Sequence, residues 1–319
     1  MKILNVLRRE VRYARAAFHF DKRLLPPPDF EKKLIGQLRQ HFKNLPPSLP
    51  SPSWASFARE LKELVLTSDP RAFLRWKVIQ NTMFMVNPPY IAALLQELHS
   101  SEGWLTLWHD ALKESPFGFP SPSPLLPESS GNLIVHAFHL LQLHNATRLN
   151  FDQLKLVIEF GGGYGSMCRL FRQLGFKGAY VIYDLPEFSY LQEFYLQGLG
   201  LPVARLIDQD LKAGYNYLAT DTARLKQVSP KPGSSSLFVA TFSLSESPDQ
   251  LRQDILSLMQ DCHYYLFAYQ SKFDEVDNIA FFEEYAQKMS DVRWMHRVCD
   301  LFEGHYLLGK RPSDIGRAK

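Results

Sequence analysis

Lys155-Leu156-Val157-Ile158-Glu159-Phe160-Gly161-Gly162-Gly163-Tyr164-Gly165, followed by Ala179-Tyr180-Val181-Ile182-Tyr183-Asp184-Leu185-Pro186-Glu187, decides how this chain is read. Leu156, Val157 and Ile158 are consecutive and apolar, and two of them are β-branched, which suits a strand buried on both faces. At Glu159 the run ends and glycine takes over, with Gly161, Gly163 and Gly165 alternating and Gly162 between the first two. Glycine tolerates positive φ and brings the backbone to a ligand with no Cβ in the way. Met167, Leu170, Phe171 and Leu174 recur at helical spacing and predict a helix closed by Gly175. The second strand, 179–183, ends in Asp184, 19 residues beyond Gly165. A βαβ unit of this kind suits a nucleotide: the loop gives close backbone contact and the acid accepts hydrogen bonds from both ribose hydroxyls.

Outward from that unit, 319 residues suffice for one large domain and a smaller one. A net charge of +3 gives no argument for a nucleic-acid partner, and no basic stripe interleaved with aromatics is seen beyond the first 23 residues. Cys168, Cys262 and Cys299 are scattered, which points to a reducing compartment and no structural zinc. No membrane span and no secretory signal are read, so a cytoplasmic protein is expected. Residues 1–23 carry seven Lys or Arg against Glu10 and Asp21, with Ile3, Leu7, Val11, Ala14 and Phe18 on one helical face. Such a helix docks on its own domain or associates weakly with an anionic membrane surface.

The N-terminal part predicts helices at 29–43, 53–66, 70–79, 88–98 and 103–114, broken by proline clusters near 26–28, 46–52 and 116–127. It reads as a helical cap, 1–127, ahead of a domain spanning 128–319. A further helix over 132–149 aligns Asn132, His136 and His139 on one face, where they could line a cofactor or substrate pocket. No Asp or Glu accompanies them at ligand spacing, so no metal is assigned.

Beyond Asp184 a helix begins at Pro186, and 201–207 reads as a third strand ending in Asp208, an acid able to reach an adenine amino group. Residues 221–236 read as a polar loop. A fourth strand, 237–242, runs into Ser243-Leu244-Ser245-Glu246-Ser247. In open α/β sheets ligands bind beyond the carboxyl ends of the strands, so this polar loop faces the crevice of the glycine loop. Glu246 is the acid best placed by order to act as a base or to hold a substrate hydroxyl. A fifth strand, 263–269, a helix, 277–289, and an antiparallel pair, 292–298 and 305–309, close the chain. His305 opens the final strand and is a second candidate base.

Dinucleotide loops read Gly-x-Gly-x-x-Gly. Here the third glycine comes one residue early and an acid precedes the first by two. The pattern Glu159-x-Gly161-x-Gly163-x-Gly165 resembles motif I of the class I S-adenosylmethionine-dependent methyltransferases. Further pieces occur in order: Phe73-Leu74-Arg75-Trp76, Asn81-Thr82-Met83-Phe84, the Asn132–His139 helix, Tyr183-Asp184-Leu185-Pro186-Glu187, Ser243–Glu246 and His305-Tyr306-Leu307-Leu308-Gly309-Lys310-Arg311. Together, over about residues 70–311, they resemble a bacterial family of sugar O-methyltransferases. The resemblance implies an α/β, Rossmann-like seven-stranded sheet with a terminal antiparallel hairpin. It implies S-adenosylmethionine as cofactor and a sugar or glycan hydroxyl as acceptor, in polysaccharide or glycoconjugate synthesis. Glu159 and Gly161–Gly165 would hold the methionine end, Asp184 with Leu185 the ribose, and Asp208 the adenine. Ser243 and Glu246 would face the methyl, with His305 and His139 as further candidate catalytic residues. A small natural product as acceptor, or a non-catalytic protein retaining the fold, is the alternative.

Overall fold

The computed structural model describes residues 20, 24–46, 52–84, 88–207, 210–300 and 304–312. The N-terminal basic segment and Asp208 lie outside the described residues. The chain divides into two compact units. One comprises the described residues up to Phe138 together with Gly163–Gln173 and Pro186–Pro202; the other comprises His139–Gly162, Leu174–Leu185 and the described residues from Val203 onward.

The first unit is helical: α1 (Pro28–Asn44), α2 (Pro52–Thr67), α3 (Lys77–Met83), α4 (Pro88–His99), the start of α5 (Gly131–Thr147), α6 (Ser166–Gln173) and α7 (Pro186–Gly198). Helix α1 buries Leu34, Leu38 and Phe42, one stripe at four-residue spacing. Its His41 stacks on Tyr190 of α7, with centroids 4.3 Å apart. The predicted helix over 70–79 is broken at Trp76 into a 3-10 turn, Pro70–Arg75, and α3. Asp69 caps that turn by accepting from the Arg71 amide, and Ala72 within it leaves helical φ/ψ. The predicted 103–114 helix is instead a π turn, Trp104–Trp108, and a short helix, His109–Ala111. Phe73 meets Tyr164, Phe194 and Tyr195 edge-on at about 6 Å, an aromatic core for this unit. Glu114 and Arg169 form a buried ion pair, and Ser130 Oγ donates to the same carboxylate at 2.5 Å.

The second unit is an eight-stranded sheet in the order β3-β4-β2-β1-β5-β6-β10-β9. Its parallel body is β1 (Leu156–Phe160), β2 (Ala179–Tyr183), β3 (Val203–Arg205), β4 (Asn216–Ala219), β5 (Ser236–Thr241) and β6 (Tyr264–Gln270). The terminal hairpin is β9 (Arg293–Cys299) and β10 (Gly304–Lys310), with β10 antiparallel to β6. This is the Rossmann-like α/β sheet with a terminal antiparallel hairpin that was expected, with one correction. The predicted third strand is only the short edge strand β3, and the strand beside β2 is β4, which makes the count eight rather than seven. The polar loop expected over 221–236 also holds a helix, α8 (Thr222–Gln227).

On one face of the sheet, Ile158, Val181, Phe238, Phe267 and Leu307 pack with Leu225 of α8, Ile255 of α9 (Asp249–Leu258) and Phe282 of α10 (Asn278–Lys288). Each such side chain, fully buried, contributes roughly 1.5–3 kcal/mol. On the other face the C-terminal half of α5 is tied to the hairpin. His139 Nδ1 lies 2.6 Å from the Tyr306 hydroxyl, Arg297 bonds Gln142, and Lys310 Nζ donates to the Thr147 carbonyl at 2.9 Å. A small ribbon, β7 (Lys272–Phe273) with β8 (Val276–Asp277), follows β6.

Candidate functional site

The glycines behave as their spacing demands. Gly161, Gly163 and Gly165 have φ of 75°, 56° and 97°, conformations that a Cβ disfavours. The Gly161 amide donates to the Tyr183 carbonyl at 2.8 Å, which fastens the loop start to the end of β2. A Cβ on Gly161 would lie 2.2 Å from Ser243 Cβ, and one on Gly162 would lie 2.5 Å from Ile182 Cγ2. The backbone therefore lies flat against the strand ends because no side chain intervenes. Ser243 Oγ returns a hydrogen bond to the Phe160 carbonyl, so β1 and the loop after β5 are joined at this point.

Within the helical unit, Gly163 faces Met83 Sδ at 3.2 Å from a built Cβ, and its carbonyl accepts from Gln192 Nε2 at 3.0 Å. Asn132 Nδ2 donates to the hydroxyl of Tyr164, the residue between Gly163 and Gly165, at 2.9 Å. Asn132 thus supports the glycine segment. Burial pushes the His136 imidazole down to about 4, which keeps it neutral.

Glu159 lies beneath the loop. Its carboxylate accepts from the Tyr180 hydroxyl at 2.9 Å and would meet a Cβ on Gly162 at 3.0 Å. Burial raises its pKa to about 8, against the lowering effect of the Tyr180 bond and with a further push from Asp184. Asp184, at the end of β2, is partly exposed, and its Oδ1 accepts from the Leu185 amide at 2.8 Å. Leu185 is likewise partly exposed. Asp221 stands at the end of β4 and caps α8 through the Ala223 amide at 2.8 Å. Burial, then Asp184 and Asp221, raise the Tyr183 phenol, so both carboxylates bear on one spot at the rim. Asp221 had no place in the sequence reading, because β4 went unseen; the Asp-Thr-Ala start of α8 was its only signal.

The loop after β5 is tightly held. Ser245 Oγ donates to Gln270 Oε1 at 2.8 Å, and Gln270 Nε2 reaches Glu246 Oε1 at 3.5 Å. Beneath, buried Arg252 donates to the Ser245 and Ser247 carbonyls and, at 2.9 Å, to Asn278 Oδ1. Asn278 Nδ2 in turn donates to the Gln270 carbonyl at 3.1 Å. Glu246 remains partly exposed, and burial raises its pKa to about 7, with Gln270 pulling the other way. Just before it, Phe242 sits at φ 65°, a strained conformation for an aromatic residue, with its ring 6.1 Å from that of His139.

The two candidate histidines do not converge. His305 and Tyr306 are consecutive on β10 and point to opposite faces of the sheet. His139, bonded to Tyr306, is therefore on one face, while His305 stacks on Tyr269 at 5.4 Å on the other. Glu246, on the loop beyond β5, meets the Gln270 side chain. Among the described residues no cluster of three His, Cys, Asp or Glu could hold a metal, and no helix is long and apolar enough to cross a membrane.

No protein-family model matches the chain, and no curated protein matches it. Solved structures similar to it include a variant of MtNAS (12% identity, 89% of this chain and 97% of that one, TM-score 0.36). The mitomycin 7-O-methyltransferase MmcR is another (13%, 73% and 75%, 0.35). A third is the precorrin-6y C5,15-methyltransferase of Geobacter metallireducens (12%, 56% and 88%, 0.37). Likenesses this distant carry no chemistry over, and the functional reading rests on the residues above.

Proposed function

We propose that the chain is an S-adenosylmethionine-dependent O-methyltransferase whose acceptor is a sugar hydroxyl, in polysaccharide or glycoconjugate synthesis. The observation that carries this reading is the run of three positive-φ glycines at the end of β1, with an accessible Asp184 at the end of β2. Bound there, the cofactor supplies an electrophilic methyl on a sulfonium.

The residues fit such a group. Gly161 and Gly162 bring the turn backbone up against Ser243 and Ile182, where any Cβ would collide, and so set the turn at the strand ends. Asp184 accepts hydrogen bonds from a ribose diol, and Leu185 lies beside it. Glu159, largely protonated at neutral pH, is held beneath Gly162 by the Tyr180 hydroxyl of β2. Asp221, beyond the end of β4, is a further rim carboxylate beside Asp184. Ser243 and Gln270, both partly exposed, lie at the carboxyl ends of β5 and β6 beside Glu246 and give this rim a polar character that suits a polyhydroxylated acceptor. Glu246, with a pKa of about 7, is matched to removing a proton from that acceptor at neutral pH. His139 and His305 are second choices, since each already bonds a hydroxyl of the protein.

Transfer of labelled methyl from S-adenosylmethionine to a panel of glycans tests the acceptor. Methylation of sugars, lowered roughly 10²–10⁴-fold in Glu246→Gln with cofactor binding intact, is expected. Turnover confined to non-sugar acceptors would refute the sugar assignment.

A further inference from the structure

His305 is left unused by that chemistry, yet it is the centre of a second constellation. Its Nε2 lies 2.9 Å from Ser271 Oγ, and its Nδ1 lies 3.2 Å from His296 Nε2. The two imidazole planes differ by 6° and their centroids are 5.3 Å apart. That separation exceeds the nitrogen–nitrogen gap by about two ring radii, so the rings meet edge to edge, in line for an N–H···N hydrogen bond. Tyr269 stacks on His305 at 5.4 Å and fixes its plane. His305 is 8% exposed, whereas Ser271 and His296 are exposed. A nucleophile, a base and a group orienting the base thus stand in one hydrogen-bonded row, with the nucleophile open to solvent.

We propose that Ser271 is a base-activated nucleophile that accepts acyl groups from carboxylic esters, with His305 as its base and His296 as the residue that orients the base. Ser271 Oγ bonds the ester carbonyl carbon while His305 Nε2 takes its proton. The carbon–oxygen bond to the alcohol breaks, and His305 returns the proton to the departing alkoxide. Water, activated by the same imidazole, later cleaves the acyl-serine to free acid and Ser271. This row requires the His305 tautomer with its proton on Nδ1, donated to His296. Burial, then His296, hold His305 below its ordinary pKa, so it is neutral and able to accept a proton at pH 7. General-base assistance of this kind is worth roughly 10²–10⁴-fold.

The test is acetylation of the full chain by p-nitrophenyl acetate, followed by intact mass and peptide mapping, with exposed Ser100 as internal reference. Ser271 should acylate at least about a hundredfold faster than Ser100. His305→Gln should remove that advantage, and His296→Gln, at an exposed position with little risk to folding, should reduce it about tenfold. Thermal melting confirms that each variant is folded. Labelling of Ser271 no faster than of Ser100, or equal labelling in wild type and His296→Gln, would overturn the proposal. The assay needs no methyl donor, so its outcome is separate from that of the methyltransferase reading.

Discussion

A carboxyl group with a pKa of about 7 is half ionised at neutral pH, and at Glu246 burial is the cause. If its carboxylate takes the acceptor proton, methyl transfer falls tenfold for each pH unit below 7 and levels off above it. Glu246→Gln should lower the rate by roughly 10²–10⁴ and abolish the acid limb, as a pH–rate series would read. Glu159 gives a stability effect of known sign. Its folded pKa lies above the ordinary 4.5, so the folded state binds the proton more tightly than the unfolded chain does. Its contribution is fully present below pH 4.5 and is lost as pH rises through about 8. Glu159→Gln should therefore melt higher than wild type at pH 8.5, with the gap closing toward pH 5. At about 1.4 kcal/mol per pH unit, a rise from 4.5 to about 8 gives a ceiling of about 5 kcal/mol.

Among the elements, the turn after β1 makes the firmest demand on sequence. Gly162→Ala would set a Cβ 2.5 Å from Ile182 Cγ2 and should cost about 1–3 kcal/mol in denaturant unfolding. Gly161→Ala meets Ser243 at 2.2 Å with positive φ besides, and should cost more. This turn was legible because glycine at alternate positions has few uses other than unusual backbone. The buried strands β1, β2, β5 and β6 were legible as apolar runs. Strand β4 was not: Asn216-Tyr217-Leu218-Ala219 is short, opens on a polar residue and has no period to read. Missing it left Asp221, the acid beyond β4, out of the candidate residues. The order of motifs also offered Glu246, His139 and His305 together as candidate catalytic residues. Side-chain alternation along β10, which depends on register, separates the two histidines.

For the whole molecule, the two compact units stand on different physics. The helical unit depends on an aromatic core and on the buried Glu114–Arg169 pair, whose partners lie 55 residues apart and carry no sequence signal. Arg169→Met strands a buried carboxylate and should destabilise by about 3–5 kcal/mol by equilibrium unfolding, more than removal of an exposed pair such as Lys288–Glu284. The sheet unit carries Gly161, Gly162, Asp184, Ser243 and Glu246, and its fold was legible because parallel strands write their burial into the sequence. Everything proposed for that chemistry depends on a nucleoside with a sulfur-linked amino-acid tail binding at the glycine turn and Asp184. Calorimetric titration of the folded chain with S-adenosylhomocysteine tests this most directly. One-to-one binding is predicted, weakened by roughly 10–100-fold in Asp184→Ala through loss of charge-assisted hydrogen bonds to the ribose. Absence of binding by the folded wild-type chain, or equal affinity in Asp184→Ala, would contradict it.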